Sequence, residues 1–270
     1  MRSPLTSEFR FIFVAILCVI VPFGLLLYFL PTYTAVYWAW VIPIARSAIL
    51  IGAGYFGAIA YYVVALRNND WDEVQGGLGG LIVFSVILLI ATMIHWDTFR
   101  PYHIVTLVWL IFYYTGPLLV PIAYQIQAAK AGPVLGDGVF VSPGWRSWLR
   151  SRAIFYYALV VVLLLFAPAI SARWPWPIGP LDLRVFAGQI GAIGWVGVLA
   201  IENDRAFDQF RLGLMLTFAI GALQLIGLIL NNGVYDWSSP FGVILPLMFA
   251  EWVLTPLVMF AVYDRKKVKE

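Results

Sequence analysis

The sequence predicts an all-α fold, a polytopic transmembrane bundle of about eight helices arranged as a parallel 4+4 tandem repeat. Three observations predict it: a very apolar composition, apolar runs of bilayer length, and a second half that echoes the first. Of the 270 residues, 62% are hydrophobic and 11% charged, against roughly 25% charged in a soluble domain. A soluble chain this apolar could not cover its surface with polar groups. The long runs match the ~20 residues of helix that cross a bilayer. They do not alternate in polarity, as the ~9–11-residue strands of a membrane barrel would.

The first span, 11–30, is longer than the roughly 7–15 apolar residues of a secretory signal, and no small-x-small cleavage site directly follows it. It reads as a retained helix. Seven more follow, at 47–66, 77–94, 104–124, 153–172, 185–201, 212–230 and 241–263. Pro22, Pro117, Pro121 and Pro256 fall inside spans. Membrane helices tolerate such prolines as kinks. The single cysteine, Cys18, excludes an intrachain disulfide and any cysteine metal motif.

Charge sets the orientation. With the N-terminus inside, only Arg46, Arg100, Arg173 and Arg184 of the 17 lysines and arginines fall on the outer side. The rest, among them Arg2, Arg152, Arg265, Lys266, Lys267 and Lys269, fall inside. By the positive-inside rule this predicts a multi-pass membrane protein with both termini cytoplasmic. The net charge of +3 is spread singly, so no nucleic-acid partner is expected. Trp38, Trp40, Trp96, Trp174, Trp176 and Trp237 map to the outer boundary and read as an aromatic belt at the headgroup level. The longest connection, 128–150, lies inside. There Trp145 and Trp148 alternate with Arg146 and Arg150, as in a stretch lying along the membrane surface.

The two halves, 1–140 and 141–270, share features in the same order. Asp97-Thr-Phe-Arg-Pro101 recurs as Asp236-Trp-Ser-Ser-Pro240, and Pro117-Leu-Leu-Val-Pro-Ile-Ala-Tyr124 as Pro256-Leu-Val-Met-Phe-Ala-Val-Tyr263. Both pairs are offset by the same 139 positions. Arg46 answers Arg184, and Gly54-Tyr-Phe-Gly57 answers Gly194-Trp-Val-Gly197. Four spans per unit enter the membrane in the same direction, which implies a pseudo-twofold axis along the membrane normal. The glycine pairs allow close helix approach, suited to span two packing on span six or another core helix.

Candidate chemistry is sparse. No Walker lysine loop, dinucleotide glycine fingerprint, His-Glu-x-x-His or nucleophile elbow occurs. No cofactor or metal is expected, and enzyme activity is not expected. An outer polar cluster gathers His95, Asp97, Arg100 and His103 with Arg46, Arg184 and Asp236. Its aspartates are expected to cap the following helices or pair with outer arginines such as Arg46 and Arg184. The two histidines are ordinary interfacial residues or, less favoured, metal or pigment ligands. At depth lie Gln189, Gln224 and Glu251. No lysine or arginine lies in mid-span, so Glu251 is expected as a neutral carboxyl bonded to Gln224.

The HWD turn at 95–97 and the stretch WPWPIGPLDLRVFAGQIG at 174–191 resemble uncharacterised bacterial polytopic integral membrane proteins. The resemblance covers about a fifth of the chain. It implies an eight-span protein of the bacterial inner membrane and brings no activity with it. Two roles remain open. One is a non-catalytic accessory, scaffold or sensor component, with the bilayer, other membrane subunits or a second copy as partners. The other is a small-solute or ion transporter or channel with its path between the repeats around Glu251. An intramembrane enzyme acting on lipid ranks below both.

A test of the orientation follows from the charge bias. In a Cys18→Ser background, a cysteine at Ser238 is expected to react with an impermeant maleimide on intact cells, and one beside Lys130 is not. The reverse pattern would invert the topology.

Overall fold

The computed structural model describes residues 3–132 and 138–267. Arg2, Lys269 and loop residues 133–137 lie outside the described residues, as do the side chains of Arg265, Lys266 and Lys267. The described chain is all helical. Eight of its helices are long and apolar enough to cross a membrane.

Each helix is bounded by local chemistry. Helix α1 (Ser7–Phe29) starts at Thr6, whose hydroxyl accepts from the Phe9 amide at 3.3 Å. A 3-10 turn and the four-residue α2 (Thr34–Tyr37) lead to α3 (Ala45–Asn68). That helix ends on Asn69 at φ 50°, a left-handed position that asparagine tolerates. Helix α4 (Trp71–Ile94) begins at Asp70, whose carboxylate accepts from the Asp72 amide at 3.1 Å. Helix α5 (Ile104–Ala131) stops at Gly132, φ 78°. Prolines open α6 (Pro143–Ser171) and α7 (Pro180–Leu199), where the missing amide hydrogen costs nothing. Helices α8 (Asp208–Leu230) and α9 (Ile244–Lys267) complete the set. Pro22, Pro117, Pro121 and Pro256 all sit inside helices. The backbone breaks at Phe166, just before Pro168.

Several helices begin well before their apolar runs: α4 at Trp71, α6 at Pro143, α7 at Pro180 and α8 at Asp208. Their opening turns carry acids or arginines that lower the hydropathy, yet acids at a helix start are favoured by its dipole. The expected surface stretch around Trp145 and Trp148 is therefore the first part of α6 itself.

Helices α3, α4, α7 and α8 form the centre: α3 packs against α8, α4 against both α7 and α8. Helix α1 lies on α3, α5 on α4, α6 on α7 and α9 on α8. Helix α7 is the most buried of the eight and α5 the least. Gly54 on α3 lies against the Gln189 amide of α7, and Gly57 against Ile220 of α8. Gly197 turns outward, where an added Cβ would strike the Leu149 carbonyl oxygen of α6.

The outer aromatic belt needs correction. Of its six tryptophans, Trp96 and Trp237 are exposed, whereas Trp38, Trp40, Trp174 and Trp176 are buried. They form two plugs. Trp40 packs against Trp109 at 4.9 Å between ring centroids, with Trp38 beside both. Trp174 packs against Trp176 at 5.5 Å, and Trp176 on Tyr235 at 5.7 Å. The connecting segments fold back over the ends of the bundle, which removes these rings from the headgroup region.

Gly197→Ala is expected to push α6 from α7 and destabilise the protein by roughly 1–3 kcal/mol. Gly144→Ala, which meets nothing within 4 Å, should leave it unchanged. Thermal unfolding in detergent compares the two, and equal midpoints would mean that α6 and α7 are not held this closely.

Candidate functional site

Because α6 begins at Pro143, it carries Arg152 into the helix interior, where the guanidinium is 4% exposed. Its Nε lies 2.9 Å from Oε1 of Glu251 on α9. One turn further along α6, the Tyr156 hydroxyl donates to Glu251 Oε2. On α9, the Thr255 hydroxyl donates to Oε1 at 2.7 Å, and the Trp252 indole donates to the Tyr156 hydroxyl at 2.7 Å. The guanidinium also stands 5.1 Å from the Tyr156 ring centroid. The partner expected for Glu251, Gln224, is thus replaced by Arg152. The reason is the helix start: α6 begins ten residues before the apolar run at 153, so Arg152 lies inside the helix and not in the loop.

The two glutamines serve α3 instead. Gln189 on α7 donates through Nε2 to the carbonyls of Leu50 and Ile51, at 3.1 and 3.2 Å. Gln224 on α8 donates to Leu50 at 2.8 Å, and its Oε1 accepts from Arg46 at 3.3 Å. These interior carbonyls can accept a second bond because each oxygen has two lone pairs. Glu251 is not part of this group.

The outer cluster is dispersed over the bundle end. Arg184 reaches His95, donating to its Nε2, and donates from Nε to the Leu164 carbonyl at 2.9 Å. Burial first, and the Arg184 charge second, hold the His95 imidazole below its ordinary pKa and keep it neutral at neutral pH. Arg100 clamps the preceding connection through the carbonyls of Ala35, Val36 and Trp38. The capping role expected of Asp97 falls to His103, whose Nδ1 accepts from the Val105 amide at 3.3 Å. Asp97 itself is exposed. Asp236 closes its own turn, accepting from the Ser238 hydroxyl and amide at 2.6 and 2.9 Å. Those bonds hold its carboxyl below the usual range.

Arg46 pairs with none of the aspartates expected for it. It is 1% exposed and stacks over Trp176, 4.6 Å from the ring centroid. Asp182 accepts instead from the Trp40 indole at 2.8 Å and from the Gly179 amide at 3.2 Å. Among the described residues, no group of three or more His, Cys, Asp or Glu side chains is close enough to hold a metal ion.

Sequence reasoning missed Arg152, Tyr156 and Trp252. A signal was present: Arg152 and Tyr156 share one helix face at i, i+4, as do Glu251 and Thr255. The repeated Trp-x-Trp at 38–40 and 174–176 likewise marked the two plugs.

Removing one partner of a buried ion pair strands the other charge, at a cost of about 3 kcal/mol. Glu251→Gln is expected to lose stability on that scale. The double variant Arg152→Met with Glu251→Gln should recover most of it, as read by denaturation in detergent. Equal losses in the single and double variants would show that the two residues do not act as a pair.

The chain matches no protein-family model, no curated protein and no solved structure, so the reading of its function rests on this geometry.

Proposed function

We propose that the protein is a non-catalytic component of the bacterial inner membrane, an accessory, scaffold or sensor subunit that works through helix contacts inside the bilayer. The observation that carries this reading is the use made of its deep polar side chains. Gln189, Gln224 and Glu251 each hold one helix to another. Glu251 faces α6 within the second half, away from the seam between α3, α4, α7 and α8. That placement weakens a conduit between the halves around Glu251.

The pattern of helix neighbours supports the two-repeat arrangement of residues 1–140 and 141–270. Helix α1 lies on α3 as α6 lies on α7, α5 on α4 as α9 on α8, and α3 meets α8 as α7 meets α4. Exchanging the halves leaves these relations unchanged, as a pseudo-twofold axis requires. The outer helices present broad apolar faces, including Ile154, Leu165, Leu247 and Leu254. Lipid or a neighbouring subunit covers such faces equally well in a bilayer.

Two measurements test the role. Extracted in native lipid, the protein is expected at a mass above the 30.3 kDa of the single chain, as a defined assembly. Reconstituted into vesicles with a trapped pH-sensitive dye, it is expected to pass no protons or small cations beyond protein-free controls. A monomer that conducts would overturn the proposal.

A further inference from the structure

A cavity of about 300 Å³ lies between α1 and α5, with α3, α4, α7 and α8 behind it. That volume is at the lower end of small-molecule sites, roughly 300–1,000 Å³. The chain at the start of α1 is tied to the end of α5. At the inner end the Thr6 amide donates to Gln127 Oε1 at 2.8 Å, and Gln127 Nε2 donates to the Pro4 carbonyl at 3.1 Å. At the outer end the Trp38 and Trp109 plug closes the bundle, with the Tyr113 ring tilted against Trp109 at 4.3 Å between centroids. Between these closures, Phe11 of α1 and Ile111 and Leu119 of α5 line the cavity and are also exposed at the surface. The cavity therefore opens sideways, to lipid, and is shut toward both aqueous faces.

The lining is apolar except for a small neutral set. Gln189 is 2% exposed, and because its Nε2 is fixed by two carbonyls, Oε1 is left without a hydrogen-bond partner. Ser85 and Thr115 spend their protons on Ile82 and Ile111 of their own helices. Their oxygens can still accept. The Tyr55 and Tyr113 hydroxyls, 3.3 Å apart, share one proton and leave one to donate, and Tyr62, which also lines the cavity, carries a second donor. Among the described residues, no charged side chain lines the cavity. Gln189 and Tyr55 sit near the middles of α7 and α3, out of reach of a phospholipid headgroup at the interface.

We propose that this cavity binds a long-chain or isoprenoid alcohol that enters from the bilayer between α1 and α5. Its hydroxyl lies against Gln189 and the Tyr55–Tyr113 pair, and its chain runs out toward Phe11 and Leu119. A wall with more acceptors than donors favours a ligand that donates a proton. Ethers and esters cannot donate, and an ionised acid would be a bare charge in an apolar site. The site does not depend on the accessory role proposed above.

The test reconstitutes the full chain in phosphatidylcholine vesicles with a photoactivatable straight-chain alcohol and maps the labelled residues. Label is expected on Tyr55, Tyr62 or Tyr113. The methyl ether and the carboxylic acid of the same chain should label about tenfold less, the ratio conferred by one net hydrogen bond. Competition by unlabelled straight-chain and isoprenoid alcohols shows which chain the site prefers. Gly116→Leu, at a cavity position where an added Cβ makes only ordinary contact with Ser85, should fill the space and remove the label. If that variant does not fold, the alcohol-to-ether ratio on the unaltered protein decides. Equal labelling by alcohol and ether overturns the proposal, as does uncompeted label spread over the outer faces of α1 and α5.

Discussion

Inside a bilayer no water is available to satisfy a stranded polar group, so partners within the chain are strongly favoured. The carbonyl oxygen of Leu50 is where this constraint acts most strongly. It accepts from Gln189 of α7 and Gln224 of α8, which ties three central helices at one atom. The same constraint explains the other contacts between the halves. Trp40 donates to Asp182, Arg184 to His95, Tyr28 to the Leu223 carbonyl, and Ser47 links the Trp176 indole to the Pro177 carbonyl. Apolar surface alone would not choose among helix pairings, because lipid tails are as apolar as leucine. Polar pairs of this kind do choose.

The two halves use corresponding positions differently. At the shared offset of 139 positions, Phe112 corresponds to Glu251, Tyr113 to Trp252 and Gly116 to Thr255. In the first half these residues line the side-opening cavity. In the second, Glu251, Trp252 and Thr255 reach toward α6 and build the network with Arg152 and Tyr156. The gap between outer helices is thus kept open in one half and bridged by charge in the other. At these offset positions, three side chains set two local chemistries.

The number and kind of the spanning helices were legible from the lengths of the apolar runs. What stayed hidden shares one physical cause. Average hydropathy reports how a residue would fare against lipid, whereas many residues here face protein. Arg152 reads as a loop cation by hydropathy, yet α6 encloses it because Glu251 waits on α9. Trp38 and Trp174 read as interfacial rings, yet the chain folds them inward against Trp40 and Trp176. Asp97 looked like a cap, but the helix starts later and His103 occupies the capping position. The candidate site was legible as single residues and not as pairs. Pairing depends on which helices become neighbours, and a one-dimensional pattern does not carry that.

Helix α7, at 20 residues the shortest of the eight and with the lowest mean hydropathy, 1.2, is also the most buried. It gains least from lipid and most from its neighbours. Its buried Asp182, Arg184 and Gln189 each have a side-chain or carbonyl partner in the first half, at Trp40, His95 and Leu50, although Arg184 also bonds Leu164 and Asp182 also bonds Gly179. A ribosome makes those partners first. By the time α7 reaches the insertion machinery, the residues that will satisfy it are already in the membrane. Reversing the order of the two halves in a permuted gene would present α7 to bare lipid, with an aspartate, an arginine and a glutamine uncovered.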